Sequence, residues 1–202
     1  GPRAGSSTSE GGAASGIGAS SAASSNLSLE GATLRYTGAG DTSDRGFTFA
    51  RSGAIVESGV EVSNAGANLT FTGLVTSPDA ANFLKSGPGT LTLANPANAF
   101  TGIVTGTGGL LGATTLANGG QASSIGAGGS GSANLVLNGG GLQYTGATTS
   151  TNRGFTLGAS GGNVDVTAAP STLTDRGSPG DRPVEQLVDA PLGKAVPAEG
   201  DL

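Results

Sequence analysis

The feature that most constrains this 202-residue chain is an internal repeat, in which residues 15–57 recur at 123–165 without a gap. Ile125 lies 108 positions after Ile17, and the same separation relates the two copies throughout. The other matched pairs are Leu27 and Leu135, Tyr36 and Tyr144, Arg45 and Arg153, Phe47 and Phe155, and Val56 and Val164. Self-similarity at a fixed spacing is the sequence signature of a stacked array. The chain is therefore predicted to be a repeat protein.

Short runs of alternating apolar and polar residues predict many three-residue strands. They are 27–29, 34–36, 47–49, 60–62, 69–71, 91–93, 135–137, 142–144, 155–157 and 164–166. Glycine-rich turns between them, such as Glu30-Gly31-Ala32, Gly38-Ala39-Gly40 and Asn138-Gly139-Gly140-Gly141, suit a backbone with positive φ. Strands this short are stable only when each pairs with its equivalents in the coils above and below. We therefore predict one all-β solenoid over residues 15–174, with rungs of about 20–25 residues and hence about seven coils.

Composition excludes several classes of function. The chain has 39 Gly, a net charge of −5, and no Cys, His or Met. Without His and Cys, nucleophilic triads and zinc sites with nitrogen or sulfur ligands cannot form. The acidic balance argues against a nucleic-acid partner, and no apolar run approaches the ~18 residues of a membrane span.

The two ends of the chain depart from the repeat. Residues 1–14 are rich in Gly, Ser and Ala and are predicted to be a flexible lead-in, with Gly1-Pro2 resembling a protease-cleavage scar. The absence of Met leads us to expect an excised fragment. Asp175 stands where the alternation requires an inward apolar residue, so we predict a disordered tail over residues 175–202. A linker, foreign sequence and a reading-frame shift are the alternatives for its origin.

One segment offers a choice between helix and strand. Ser77-Pro78-Asp79 resembles the start of a helix, but Gly87-Pro88-Gly89 would end that helix within about two turns. We therefore favour a turn at 77–79 followed by a strand through 83–85.

The stretch Lys85-Ser86-Gly87-Pro88-Gly89-Thr90-Leu91-Thr92-Leu93, followed by Asn98-Ala99-Phe100-Thr101-Gly102, resembles the passenger-associated (autotransporter-associated β-strand) repeat. The family pattern is roughly K-x-G-x-G-T-L-T-L…N-x-Y-T-G-x-T. The resemblance covers about residues 15–174, with Phe100 in place of the usual Tyr and Ile103-Val104 in place of Gly-Thr.

This resemblance implies a right-handed parallel β-helix that is secreted or carried on the surface of a Gram-negative-type cell. It also implies a parent protein with a β-barrel in the outer membrane. The expected function is a stalk or adhesion scaffold that aids export, without catalytic, cofactor-binding or metal-binding residues. A module that binds host or matrix glycans or proteins is the first alternative, and a polysaccharide-degrading enzyme is the second. Solenoid ends without caps would also allow end-to-end self-association.

The acidic residues are the only candidates for catalysis, and we do not assign them that role. They are Asp41, Asp44, Glu57 and Glu61. Glycosidases need two carboxyls about 5–10 Å apart with one pKa raised by burial. Glu57 and Glu61 are predicted to point outward beside the inward residues Val56, Val60 and Val62, and the second copy has Thr149 and Asn152 in place of the two aspartates.

Three further motifs are interpreted as structural. Residues 126–131 spell G-x-G-x-x-G but precede a predicted strand, whereas the nucleotide fingerprint needs a helix there. Residues 161–166 resemble a calcium-binding repeat but lack its middle glycine and its tandem copies. Asn26 and Asn68 begin formal glycosylation triplets, which we interpret as turns before strands.

Alternation predicts which strand residues point outward and which point inward. The residues predicted to point outward are Arg35, Thr48, Thr70, Thr92 and Gln143. Tyr36 and Tyr144 are predicted to point inward, and Arg45 and Arg153 to cap a corner before a Phe. The alternative is that these four residues form an aromatic and cationic surface for sugars.

Overall fold

The computed structural model describes residues 11–12, 14–167 and 173–175, which form a parallel β-solenoid. The strands of its first half are β1 (Ser28–Glu30), β2 (Thr33–Tyr36), β3 (Asp41–Ser43), β4 (Phe47–Ala50), β5 (Glu57–Val62), β6 (Asn68–Phe71), β7 (Val75–Thr76), β8 (Asn82–Ser86) and β9 (Thr90–Leu93). Those of its second half are β10 (Val104–Gly106), β11 (Leu110–Ala113), β12 (Leu135–Leu137), β13 (Gly141–Tyr144), β14 (Thr149–Thr151), β15 (Thr156–Leu157), β16 (Asn163–Val166) and β17 (Leu173–Asp175). Short 3-10 turns at Ser24–Asn26 and Ser132–Asn134 precede β1 and β12. The predicted all-β solenoid is confirmed.

The chain passes in turn over three faces, each made of parallel strands from successive coils. The first face contains β1, β4 and β7, the second β2, β5, β8, β10, β12 and β15, and the third β3, β6, β9, β11, β13 and β16. The pair β14 and β17 follows the third-face strands β13 and β16 in the chain, as β4 and β7 follow β3 and β6. This pair therefore continues the first face after an interval without strands. One coil is one passage over the first, second and third faces.

The described residues contain six complete coils and the first strand of another, where about seven were expected. The expected rung length holds from Leu69 to Leu91 and from Leu142 to Val164, which are 22 residues apart in each case. It fails from Leu111 to Leu142, a step of 31 residues that contains the irregular segment 114–134. The longer coil uses sequence that the prediction had assigned to an additional rung.

The two copies of the repeat have the same local structure but lie on different faces. Thr48 Oγ1 donates to Ser24 O at 3.2 Å, and Thr156 Oγ1 donates to Ser132 O at 3.0 Å. Yet β1 lies on the first face of coil 1, whereas its counterpart β12 lies on the second face of coil 5. The same step of one face relates β2 to β13, β3 to β14 and β4 to β15. The 108-residue unit, measured from Ile17 to Ile125, therefore advances the solenoid by four coils and one face.

Inward side chains from successive coils stack into one core. On the third face, Leu69, Leu91, Leu111 and Leu142 are in register, and each is almost completely buried. Coils 2–4 add five buried phenylalanines, which form six ring pairs with centroids 5.1–6.4 Å apart. This phenylalanine cluster consists of Phe47, Phe49, Phe71, Phe83 and Phe100.

The segment that offered a choice between helix and strand is a turn followed by β8, as favoured. The Asp79 carboxylate holds this turn, since it accepts hydrogen bonds from the amides of Arg51 at 2.8 Å and Ala81 at 3.2 Å. These bonds, that from Arg51 above all, lower the pKa of Asp79. Positive φ values at Gly31, Gly40 and Gly139 confirm the predicted turns there.

The predicted lead-in and tail fall largely outside the described residues. Of the lead-in, Gly11 donates its amide to the Asp44 carboxylate, as Gly119 does to the Asn152 side chain at 2.8 Å in the second copy. At the other end, β17 includes Asp175, the residue at which the tail was predicted to begin. Residues 176–202 and the frame-shift hypothesis lie outside the described part, so the domain boundaries stay predictions.

Candidate functional site

The motif lysine Lys85 points inward, where it is fully buried. Its position on β8 places it on the same side as Phe83, two residues earlier. The Lys85 Nζ donates three hydrogen bonds of 2.9 Å, to the carbonyl oxygens of Ser86, Gly87 and Gly108. The ammonium therefore joins the corner of coil 3 to the corner of coil 4.

Burial lowers the pKa of Lys85 to about 8, against a smaller upward effect of Glu61. The glycines of the same motif allow the corner to form around this charge. Gly87 has a φ of +76°, and a Cβ on Gly89 would lie 2.4 Å from the Asn64 carbonyl oxygen. The K-x-G-x-G element is therefore a structural device, with a buried cation at its centre.

The second half of the motif, residues 98–102, holds neighbouring coils together where the first face has no strand to pair with them. Asn98 is fully buried in coil 4, at the level where the first face has no strand. Its Oδ1 accepts a bond from the Val75 amide at 2.8 Å, and its Nδ2 donates to the Ser124 carbonyl at 2.9 Å. Four residues later, a Cβ on Gly102 would lie 1.9 Å from the Ala81 carbonyl oxygen. One side chain thus bridges coils 3 and 5, and Gly102 lets the next turn close against Ala81.

The paired tyrosines and arginines are buried, which confirms the structural interpretation over a sugar-binding surface. Tyr36 and Tyr144 are 4% and 2% exposed, and burial raises the pKa of Tyr144. Arg45 and Arg153 hold the turn that begins their own copy, by donating to the Gly18 carbonyl at 2.8 Å and the Gly126 carbonyl at 3.1 Å. Burial also lowers the pKa of Arg153.

The third face, which has six paired strands, carries a regular outer column of residues. In register, its members are Thr42, Thr70, Thr92, Gly112, Gln143 and Asp165. Thr92 is more sheltered than predicted, at 9% exposed, because its hydroxyl bonds to Asn68 Oδ1 at 2.9 Å and it leans over Gly112, which has no side chain. Between Lys85 and Arg153 the chain carries no charged residue.

The structure does not bring the acidic candidates into one site. Glu61 is paired with Arg35, whose Nε lies 3.2 Å from Glu61 Oε1. Asp44 accepts the Gly11 amide, and Asp41 accepts the amide of its neighbour Thr42 at 2.9 Å. In the part of the chain that the structure describes, no three Asp, Glu, His or Cys side chains are grouped as metal ligands would be.

The remaining motifs have structural positions. Gly126–Gly131 leads into a 3-10 turn and β12, as the non-nucleotide interpretation expects. The calcium-like segment forms β16, where Asp165 pairs with Gln143. Asn26 ends a 3-10 turn and donates to Ser21 Oγ at 2.8 Å, whereas Asn68 is the first residue of β6 rather than a turn residue.

A short hairpin that sequence reasoning missed projects between β4 and β5. Ser52 and Ile55 exchange two backbone hydrogen bonds of 2.9 Å. Ile55 and Val56 are 54% and 41% exposed, although Val56 was predicted to point inward. The counterpart in the second copy, Ala159-Ser160-Gly161-Gly162-Asn163-Val164, has Asn in place of Ile55, so this apolar tip is not part of the shared framework.

One curated protein is closely similar to this chain. It is the adhesin BmaC autotransporter of Brucella suis biovar 1 (strain 1330), which is 51% identical over 167 residues. The match covers 83% of this chain but 5% of that protein. The chain is homologous to a segment of this autotransporter adhesin. This relationship agrees with the passenger-repeat motif and with the solenoid that the motif builds.

No protein-family model matches this chain, and no solved structure matches it. Among the described residues, none lies in a helix long and apolar enough to cross a membrane.

Proposed function

We propose that this chain is a scaffold segment of an autotransporter adhesin, which projects other parts of the passenger from the cell surface. The observation that carries the proposal is the role of the motif residues in the fold. Lys85, Asn98 and Gly102 are all committed to holding one coil on the next, and none of them is exposed to a partner. The relative that matches over most of the chain is named an adhesin. We therefore propose that the segment acts as a stalk and is not an enzyme.

The parent protein is proposed to be displayed on, or secreted from, a Gram-negative bacterium and to be anchored by its own outer-membrane barrel. Host or matrix proteins are the partners proposed for the whole adhesin. Glycan recognition by this segment has less support, because every Tyr and all but one Phe of the described chain are buried and Phe155 packs against the core. Stacking on sugar rings needs an accessible aromatic face.

The test compares two kinds of variant in the parent adhesin. Gly102→Val disrupts the contact between coils. The column variant, which combines Thr42→Ala, Thr70→Ala and Gln143→Ala, removes polar side chains from the outer column of the third face. Surface display is measured by flow cytometry, and adherence to host cells is counted per displayed molecule. A scaffold loses display with Gly102→Val and keeps normal adherence with the column variant.

Two other outcomes would change the assignment. Normal display with lost adherence in the column variant would make this segment a binding module, the second candidate, for which the polar column in register on the third face is the specific observation. Normal display with Gly102→Val would remove the stalk and export roles. Polysaccharide cleavage that is lost when Asp41, Asp44, Glu57 and Glu61 are replaced together would overturn the non-enzymatic assignment.

A further inference from the structure

Aromatic packing is concentrated in three adjacent coils. The phenylalanine cluster draws Phe47, Phe49 and Phe71 from coil 2, Phe83 from coil 3 and Phe100 from coil 4. Phe83 is central, since its ring centroid lies 5.2 Å from that of Phe49, 6.0 Å from that of Phe47 and 6.1 Å from that of Phe100. These rings are at most 2% exposed. The cluster therefore ties coils 2, 3 and 4 into one packed unit.

Coils 5 and 6 are packed less well. Phe155 is only partly buried, and Leu157, the counterpart of Phe49, is 53% exposed. An apolar cavity of about 20 Å³ remains between Leu135, Leu142, Phe155 and Val164. The second copy of the repeat thus keeps the backbone framework of the first without its aromatic core.

Folding of such an array can nucleate at any coil and propagate, because each coil packs only on its neighbours, so strong contacts between neighbouring coils favour one starting place over another. Differences in loop length between coils have little effect on where folding begins. The 31-residue step from Leu111 to Leu142 disfavours closure only about twofold relative to the 20-residue step from Leu91 to Leu111. Each aromatic pair, by contrast, shifts an equilibrium by about two- to tenfold beyond its buried area. Aromatic packing therefore decides where folding begins.

We propose that coils 2–4, residues 47–113, are the folding nucleus of this segment, on which coils 1, 5 and 6 then assemble. The Lys85 ammonium and the Asn98 side chain fasten two of these coils, coils 3 and 4, to each other, and Asn98 also bonds to Ser124 in coil 5. The nucleus thus combines the aromatic core with the two polar side chains of the repeat motif. This inference concerns how the scaffold assembles and is independent of which partner the adhesin binds.

The test follows refolding of the 202-residue chain from urea by pulsed hydrogen exchange and mass spectrometry. Peptides from β5, β6, β8 and β9 are expected to gain protection before those from β12, β13 and β16. Simultaneous protection, or earlier protection of β12 and β13, would overturn the proposal. The measurement needs no variant, so it remains decisive even if a substitution prevents folding.

A matched pair of substitutions provides the kinetic test. Phe83→Leu is expected to slow refolding about five- to tenfold and to change the unfolding rate less than about twofold. Phe155→Leu is the same chemical change outside the cluster and is expected mainly to accelerate unfolding. Equal slowing of refolding by both variants would contradict a nucleus at coils 2–4. Display and adherence in cells report on the scaffold function separately, so failure of either idea can be told from failure of the other.

Discussion

Replacing the buried lysine tests whether the repeat motif depends on a cation inside the solenoid. In Lys85→Met, the carbonyl groups of Ser86, Gly87 and Gly108 lose the three 2.9 Å bonds that the ammonium donates. Three bonds to a charged donor contribute about 6 kcal/mol, at about 2 kcal/mol each. With a pKa of about 8 in place of the ordinary 10.5, keeping Lys85 charged at neutral pH costs about 3 kcal/mol. The net loss expected for Lys85→Met is therefore about 3 kcal/mol in the free energy of unfolding.

The same substitution predicts a pH dependence of defined sign. The unfolded chain keeps the Lys85 proton up to about pH 10.5, whereas the folded chain releases it near pH 8. Between these values the unfolded state binds more protons, so the free energy of unfolding rises with pH. The difference between the wild type and Lys85→Met is expected to widen by about 2 kcal/mol between pH 7.5 and 9.5.

Urea unfolding followed by far-ultraviolet circular dichroism at several pH values measures both effects. Arg35→Met is the control, because Arg35 is a cation on the outer surface with a side chain 65% exposed. Loss of its ion pair is expected to cost less than about 1 kcal/mol, with no widening in this pH range. Equal stability of Lys85→Met and the wild type would refute the role of the buried cation. A constant difference from pH 7.5 to 9.5 would refute the lowered pKa.

Three further predictions follow from individual contacts. Asn98→Ala leaves a buried amide and a buried carbonyl without partners and should cost about 2–5 kcal/mol in urea unfolding; a cost below about 1 kcal/mol would contradict the bridging role. Gly102→Ala places a Cβ against the Ala81 carbonyl and should lower the melting temperature more than Gly53→Ala, where no atom lies within 4 Å of the new Cβ even though φ at Gly53 is +57°. Glu61→Gln should lower stability by less than about 1 kcal/mol, and high salt should reduce the difference further; a larger, salt-insensitive loss would show that the pair does more than the exposed geometry implies.

The architecture was predictable because it depends on patterns that are local and repeated. Alternation identified strands such as β6 and β9 correctly, since an apolar residue at every second position is enough to mark the inward face. It missed β10 and β11, where Gly106 and Gly112 occupy strand positions and remove the alternation. The coil count was too high because nothing in the composition of residues 114–134 distinguishes a long corner from another rung.

The roles of the motif residues were less accessible to sequence reasoning. The position of Lys85 two residues after Phe83 was the one available signal that its side chain points inward. It could not predict the bond to the Gly108 carbonyl, because that group belongs to the next coil. The bridge made by Asn98 depends likewise on residues 23 and 26 positions away in the chain. Tyr36 was predicted correctly, because alternation within one strand is enough to place an aromatic side chain inward. The corner position of Arg45 was also predicted, but its partner Gly18, 27 positions earlier in the chain, was not.

The step of four coils and one face has a consequence for how a gene for such a passenger can change. Recombination between two copies of the repeat would add or delete one unit while every strand still finds a parallel neighbour, because all three faces accept the same backbone. Each event would change the length of the fibre by about 20 Å, given about 4.8 Å between neighbouring strands. It would also turn everything beyond it by one third of a revolution about the axis. A loop carried farther along would then point away from its former target, and three gains would be needed to restore its direction.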